Sequence, residues 1–194
     1  MEPRQPLYVE VFQNGIRAHT EQTQAVGIPP FYPSPIFSAN GFSVFFSDAS
    51  GYGIVQHASD YSLVTPQNPS HANEYLIAYG VNLAPVSNQP PSGTPTPLSP
   101  PSTVIPLFNE GICGILDEIT IGSGKTFPSF VGLAPGTVGA YQINFQVPSS
   151  VAAGDLPLTL VRTFELNPFG TTCPVPGGET PITTTSRSVL LPIR

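Results

Sequence analysis

Apolar and polar residues alternate with a period of two along much of the chain. Leu7, Val9 and Val11 alternate with Tyr8, Glu10 and Phe12. Tyr141, Ile143, Phe145 and Val147 alternate with Gln142, Asn144 and Gln146. Leu156, Leu158 and Leu160 repeat the pattern, and Val189, Leu191 and Ile193 close the chain with it. Successive side chains of a strand point to opposite faces, so each run predicts a strand with one buried face. Tyr75–Val81 is a denser apolar run and predicts a buried strand. No stretch sustains a period of 3.6. About ten to twelve short strands separated by turn residues predict an antiparallel sandwich.

The turns sharpen this picture. Asn14-Gly15 follows the first apolar run. Both residues accept the positive φ of a type I′ turn, so a hairpin is predicted, returning over residues 16–26. A regular register would place Phe12 opposite Arg17 and Glu10 opposite His19. The segment 28–35 carries four prolines and reads as a linker, which divides the chain into a hairpin arm, 1–27, and a sandwich domain, 28–194. Phe42–Phe46 and Gly53–Gln56 flank Ser47–Gly51 and predict a second hairpin, while 57–73 reads as loop. Residues 84–106 are proline-rich and predict a long extended surface loop with polyproline II character. The fold class expected is all-β: an antiparallel immunoglobulin-like β-sandwich with long proline-rich loops and an N-terminal β-hairpin arm.

Composition agrees and narrows the function. The 194 residues include 25 Pro and 18 Gly, which helix interiors reject. Only 9% are charged, against roughly 25% in an average domain. Six Lys and Arg and a net charge of −6 are a poor match for a phosphate backbone, so no nucleic acid is expected. No apolar run approaches the roughly 20 residues of a membrane span, so no membrane insertion is expected. The acidic, lysine-poor, proline-rich composition suits an exported protein at the cell surface, although Met1–Pro6 is polar and has no apolar signal core.

Candidate chemistry is sparse. Cys113 and Cys173 both lie in Gly- or Pro-containing segments, and the expected pairing is one Cys113–Cys173 disulfide. It would close a loop of roughly 60 residues, worth about 4 kcal/mol in the chain-entropy account. Gly122-Ser123-Gly124-Lys125-Thr126 superficially resembles a phosphate loop. It has Ile119 where that loop needs its first glycine, and Phe127-Pro128 follows where a helix should start, so a tight β-turn is expected. His19, His57 and His71 lack metal spacing, and the aspartates make no calcium-loop run. Asp117 and Glu118 are vicinal in a strand, so they point to opposite faces and cannot act as a paired acid and base. No catalytic, cofactor or metal residue is expected.

One block carries a family resemblance. Phe130–Pro148, with Gly132-Leu133-Ala134-Pro135-Gly136, Tyr141-Gln142 and Val147-Pro148, resembles the uncharacterised Solibacter-type C-terminal domain of secreted acidobacterial proteins. Tyr79–Val86 matches that family's segment ahead of a proline-rich loop. The resemblance covers roughly residues 28–194 and corresponds to the second of two similar halves. It implies a secreted sandwich without an assigned activity, and the hairpin would be the last of the missing first half. The segments around Cys113 and Cys173 depart from the family pattern.

Three functions follow as expectations. The first is a non-catalytic extracellular module for adhesion or cell-surface assembly, its partner a neighbouring domain of a surface protein. The second is a self-assembling filament subunit: the arm residues Leu7, Val9, Val11, Phe12 and Ile16 either fold back on their own sandwich or add to another copy by strand addition, and the second case builds a filament. The third is a carbohydrate-binding module with glycan as partner, using Tyr32, Tyr52, Tyr61 and Tyr75. Seven Tyr and no Trp make its aromatic platform an unusual one.

Overall fold

A computed structural model describes residues 7–13, 16–23, 44–81, 83, 86–104, 112–166 and 182–194, with the side chains of 44–104, 116–163 and 183–194 within that set. Eleven strands and no helix occur among the described residues. They are β1 (Leu7–Gln13), β2 (Ile16–Thr23), β3 (Val55–His57), β4 (Tyr75–Gly80), β5 (Ile112–Ile121) and β6 (Gly124–Thr126), then β7 (Phe130–Leu133), β8 (Tyr141–Gln146), β9 (Gly154–Leu166), β10 (Ile182–Thr185) and β11 (Val189–Ile193). Every strand pair is antiparallel.

Two sheets share one core. The first has the order β3-β4-β8-β7. The second has the order β10-β9-β5-β6, with β11 also paired to β9. Leu76, Ala78, Ile143, Phe145 and Val147 from the first meet Ile119, Ile121, Leu158, Leu160 and Leu191 from the second in a single buried cluster. The period-two runs of 141–147, 158–160 and 189–193 are therefore inward rows of a sandwich. Leu156 sits at the margin, partly buried against the cluster.

Glycine and proline mark the close approaches. A Cβ on Gly80 would lie 1.8 Å from the Val44 carbonyl oxygen, which accepts a hydrogen bond from Val81 N at 2.7 Å. Only a residue without a side chain lets the 44–46 segment pair there. Pro192 lies in β11, where its carbonyl accepts both the N–H and the hydroxyl of Ser70, each at 3.0 Å. With Gly53 N donating to Leu190 O at 2.9 Å, these bonds stitch the first sheet's loops to the edge of the second. The 47–51 hairpin closes as expected: Asp48 Oδ1 accepts Ser50 N and Tyr52 N, at 2.8 and 2.9 Å. Gly122 takes φ 57° at the first centre of the two-residue turn between β5 and β6, so the Gly-Ser-Gly-Lys segment is a hairpin turn.

Three expectations need correction. Ala18 has no opposite residue, because Phe12 faces Arg17 while Val11 faces His19. This bulge shifts the β1–β2 register by one, and Glu10 faces Thr20 instead of His19. Cys113 lies inside β5, where the register against β9 slips between Ile112 and Gly114, and not in a loop. Cys173 and the disulfide lie outside the described residues. The proline-rich segment is more than an exposed loop. Val86 pairs with Val104 and Thr103 with Gly132, while Val86, Thr96 and Ser102 are buried. It returns along β7 and covers that strand's outer edge.

Candidate functional site

The polar residues fall into three groups, two inside the fold and one on its surface. His57 ends β3 and is buried. Its Nδ1 lies 2.5 Å from Glu74 Oε1, and its Nε2 lies 3.3 Å from the Asn68 carbonyl oxygen. Glu74 Oε2 accepts the His71 backbone N–H at 2.9 Å. One carboxylate thus ties together β3, the loop behind it and the start of β4. Sequence spacing separates His57 from His71, but the loop brings both to Glu74. His19 lies on β2. Among the described residues no group of three or more His, Cys, Asp or Glu is disposed to hold a metal ion.

The second group is a charge pair in the core layer. Asp117 on β5 and Arg162 on β9 face each other across the ladder. They follow the inward rows of Ile119 and Ile121 and of Leu158 and Leu160. Arg162 Nε and Nη2 donate to the two Asp117 oxygens at 2.6 and 2.7 Å. Nη1 donates to the Leu83 carbonyl oxygen, so the guanidinium spans the two layers. The side chains are only 4% and 9% exposed. Glu118 points the other way and meets Lys125 at 2.7 Å. The vicinal acids thus lie on opposite faces, each with its own cation.

The third group is the outer face of the β3-β4-β8-β7 sheet. Leu63, Gln56, Ile77, Asn144 and Phe130 form a row across it, with Ile77 at its centre buried. Tyr75 faces Gln146 on one side of that row, and Tyr79 faces Gln142 on the other. None of these residues is charged. Tyr61 is 65% and Tyr75 55% exposed, with Leu63 at 50%. Tyr79 Oη donates to Gln56 Oε1 at 2.8 Å, and Gln142 Nε2 donates to Asn144 Oδ1 at 2.9 Å. Burial, with Tyr61 nearby, holds the Tyr79 phenol above its ordinary pKa.

Of the four tyrosines expected in an aromatic platform, Tyr61 and Tyr75 therefore flank this face. Tyr52 is elsewhere: its hydroxyl donates to Asp155 on β9 at 2.9 Å. That hydrogen bond raises the Tyr52 pKa. Tyr32 lies outside the described residues. Sequence reasoning missed Tyr79 and the amides. The signal was present, because Gln142, Asn144 and Gln146 alternate with the core row of β8.

Among the arm residues, Leu7, Val9, Val11 and Phe12 lie on β1 and Ile16 opens β2. These two strands make a two-stranded sheet of their own. Two shallow open depressions of about 400 and 430 Å³ lie beside Gly154 and Pro192 and beside Leu116 and Phe127, the second also lined by Asp117 and Phe130. No family model, curated protein or solved structure matches the chain.

Proposed function

We propose that the chain is a non-catalytic extracellular module that joins a surface assembly through its N-terminal hairpin. The observation that carries this reading is the separate β1–β2 sheet, whose strands pair with each other and with no other described strand. A two-stranded hairpin is marginal in water and needs a surface for its apolar residues. Each fully buried Leu or Val contributes roughly 1.5–3 kcal/mol. Strand addition to a second copy or to a neighbouring domain supplies such a surface. A head-to-tail contact of that kind does not close on itself, so identical copies would form a filament.

The sandwich suits a scaffold. Asp117, Arg162, His57 and Glu74 are engaged in bonds that hold strands and loops together. The resemblance of the 130–148 block to a secreted acidobacterial domain supports the extracellular placement.

The test is deletion of residues 1–27, followed by size-exclusion chromatography with light scattering. The full chain is expected to self-associate or to bind its neighbouring domain, and the truncated chain to remain folded and monomeric. A lower melting temperature with unchanged oligomeric state would place the hairpin on its own sandwich and end the assembly reading.

A further inference from the structure

We propose that the outer face of the β3-β4-β8-β7 sheet is a binding site for a neutral polysaccharide. The inference is independent of the hairpin, because it rests only on residues of the sandwich.

Both edges of this sheet are occupied: Leu63 pairs with Gln56 beyond β3, and Thr103 pairs with Gly132 beyond β7. A peptide strand has no open edge to extend here, so recognition must use the face. The outward residues of the four strands carry no charge, in a chain of net charge −6. A neutral ligand meets no desolvated charge on this face, whereas a polyanion gains nothing from it.

Tyr61 and Tyr75 are more than half exposed, and Tyr79 shares their face. An aromatic ring has a negative π face. The C–H groups on one side of a pyranose ring are weakly positive and can stack on it. The amides supply the complementary polar groups. Because Gln142 Nε2 is bonded to Asn144 Oδ1, the Gln142 oxygen is left as acceptor and the Asn144 nitrogen as donor. In the same way Gln56 keeps its nitrogen as donor while its oxygen holds the Tyr79 hydroxyl. Donors and acceptors alternating beside aromatic rings match vicinal hydroxyls, which both give and accept hydrogen bonds. These bonds within the face also fix the amides in advance, which lowers the ordering cost of binding.

Along β4, Tyr75 and Tyr79 are four residues apart, about 13 Å at the strand rise of ~3.3 Å per residue. That span calls for several linked sugars rather than one, so the ligand class is a polymer.

The experiment is native gel electrophoresis of the full chain in gels containing soluble xylan, mixed-linkage β-glucan or galactomannan. Titration calorimetry with the corresponding hexasaccharide would follow. At least one neutral polymer is expected to retard the protein, with little effect of salt. Tyr61→Ala and Tyr75→Ala should each weaken binding roughly tenfold, the loss typical of a truncated aromatic anchor. Both positions are exposed, so the variants should melt with the parent. Leu98→Ala, at an 82% exposed site outside the four strands of the face, should bind normally. Retardation by none of the three polymers would overturn the proposal, as would retardation unaffected by the two tyrosine variants. Retardation only by polygalacturonate would also overturn it. If Tyr75→Ala instead abolishes a dimer seen by light scattering, without any glycan binding, the face belongs to a second copy.

Discussion

Replacing Arg162 with Met tests the account of the core most directly. The guanidinium gives three hydrogen bonds, two to Asp117 and one to the Leu83 carbonyl. Met keeps much of the volume and removes all three. The Asp117 carboxylate, 9% exposed, would then be buried without its cation. Breaking a buried pair from one side costs about 3–5 kcal/mol. That is a large share of the ~5–15 kcal/mol that keeps a domain folded. Urea unfolding with a slope near 2 kcal/mol per molar would show a midpoint lower by roughly 2 M. The double variant Asp117→Leu/Arg162→Met removes both charges and leaves apolar atoms in their place. It should recover most of the loss, because replacing both members of a buried pair is often neutral or stabilising by about 1–4 kcal/mol. The Leu83 carbonyl remains without its donor, so recovery should fall short by ~1 kcal/mol. A loss below about 1 kcal/mol for R162M, or a double variant as unstable as the single one, would mean that Arg162 is not compensating a buried charge.

Other expectations follow from local geometry. Gly80→Ala should lower stability by about 3 kcal/mol or more, since its Cβ meets the Val44 backbone; Gly136→Ala, at φ 76° with open space around it, should cost only ~1–2 kcal/mol, and thermal melts would rank the two. Denatured, unreduced protein should show no free thiol if Cys113 and Cys173 are paired, and two reactive thiols would reject the bond. The Asp60 carboxyl is held below its ordinary value of 3.8, first by the Ser62 backbone N–H and then by the Ser62 hydroxyl. Its contribution is therefore present above about pH 4 and lost as pH falls through the lowered value, so Asp60→Asn should flatten the acid limb of the melting profile. Tyr52 has the opposite sign. Its hydrogen bond to Asp155 raises its pKa above 10.0, so its contribution holds below that pH and is lost as pH rises through the raised value. Tyr52→Phe should melt with less alkaline sensitivity than the parent.

Most of the strands were legible in the residues themselves, although β10 (Ile182–Thr185) was not. Alternation places Ile143, Phe145 and Val147 inward and Gln142, Asn144 and Gln146 outward, because successive side chains of any strand take opposite faces. Glycines and prolines marked the turns for equally local reasons of φ and missing donors. Even the opposite directions of Asp117 and Glu118 followed from adjacency alone. What the residues could not announce was company. Arg162 reads as a surface charge until β9 pairs with β5 and sets it against Asp117, 45 positions away. His57 and His71 share Glu74 only because a loop folds back on β3. The Ala18 bulge moved His19 from Glu10 to Val11, and a turn motif does not encode an extra residue four positions downstream. Tyr75 and Tyr79 lie on one strand, but the amides beside them come from β3 and β8. Periodicity decides which way a side chain points. Long-range pairing decides what it points at, and that depends on the free energy of the whole sheet rather than on any one segment.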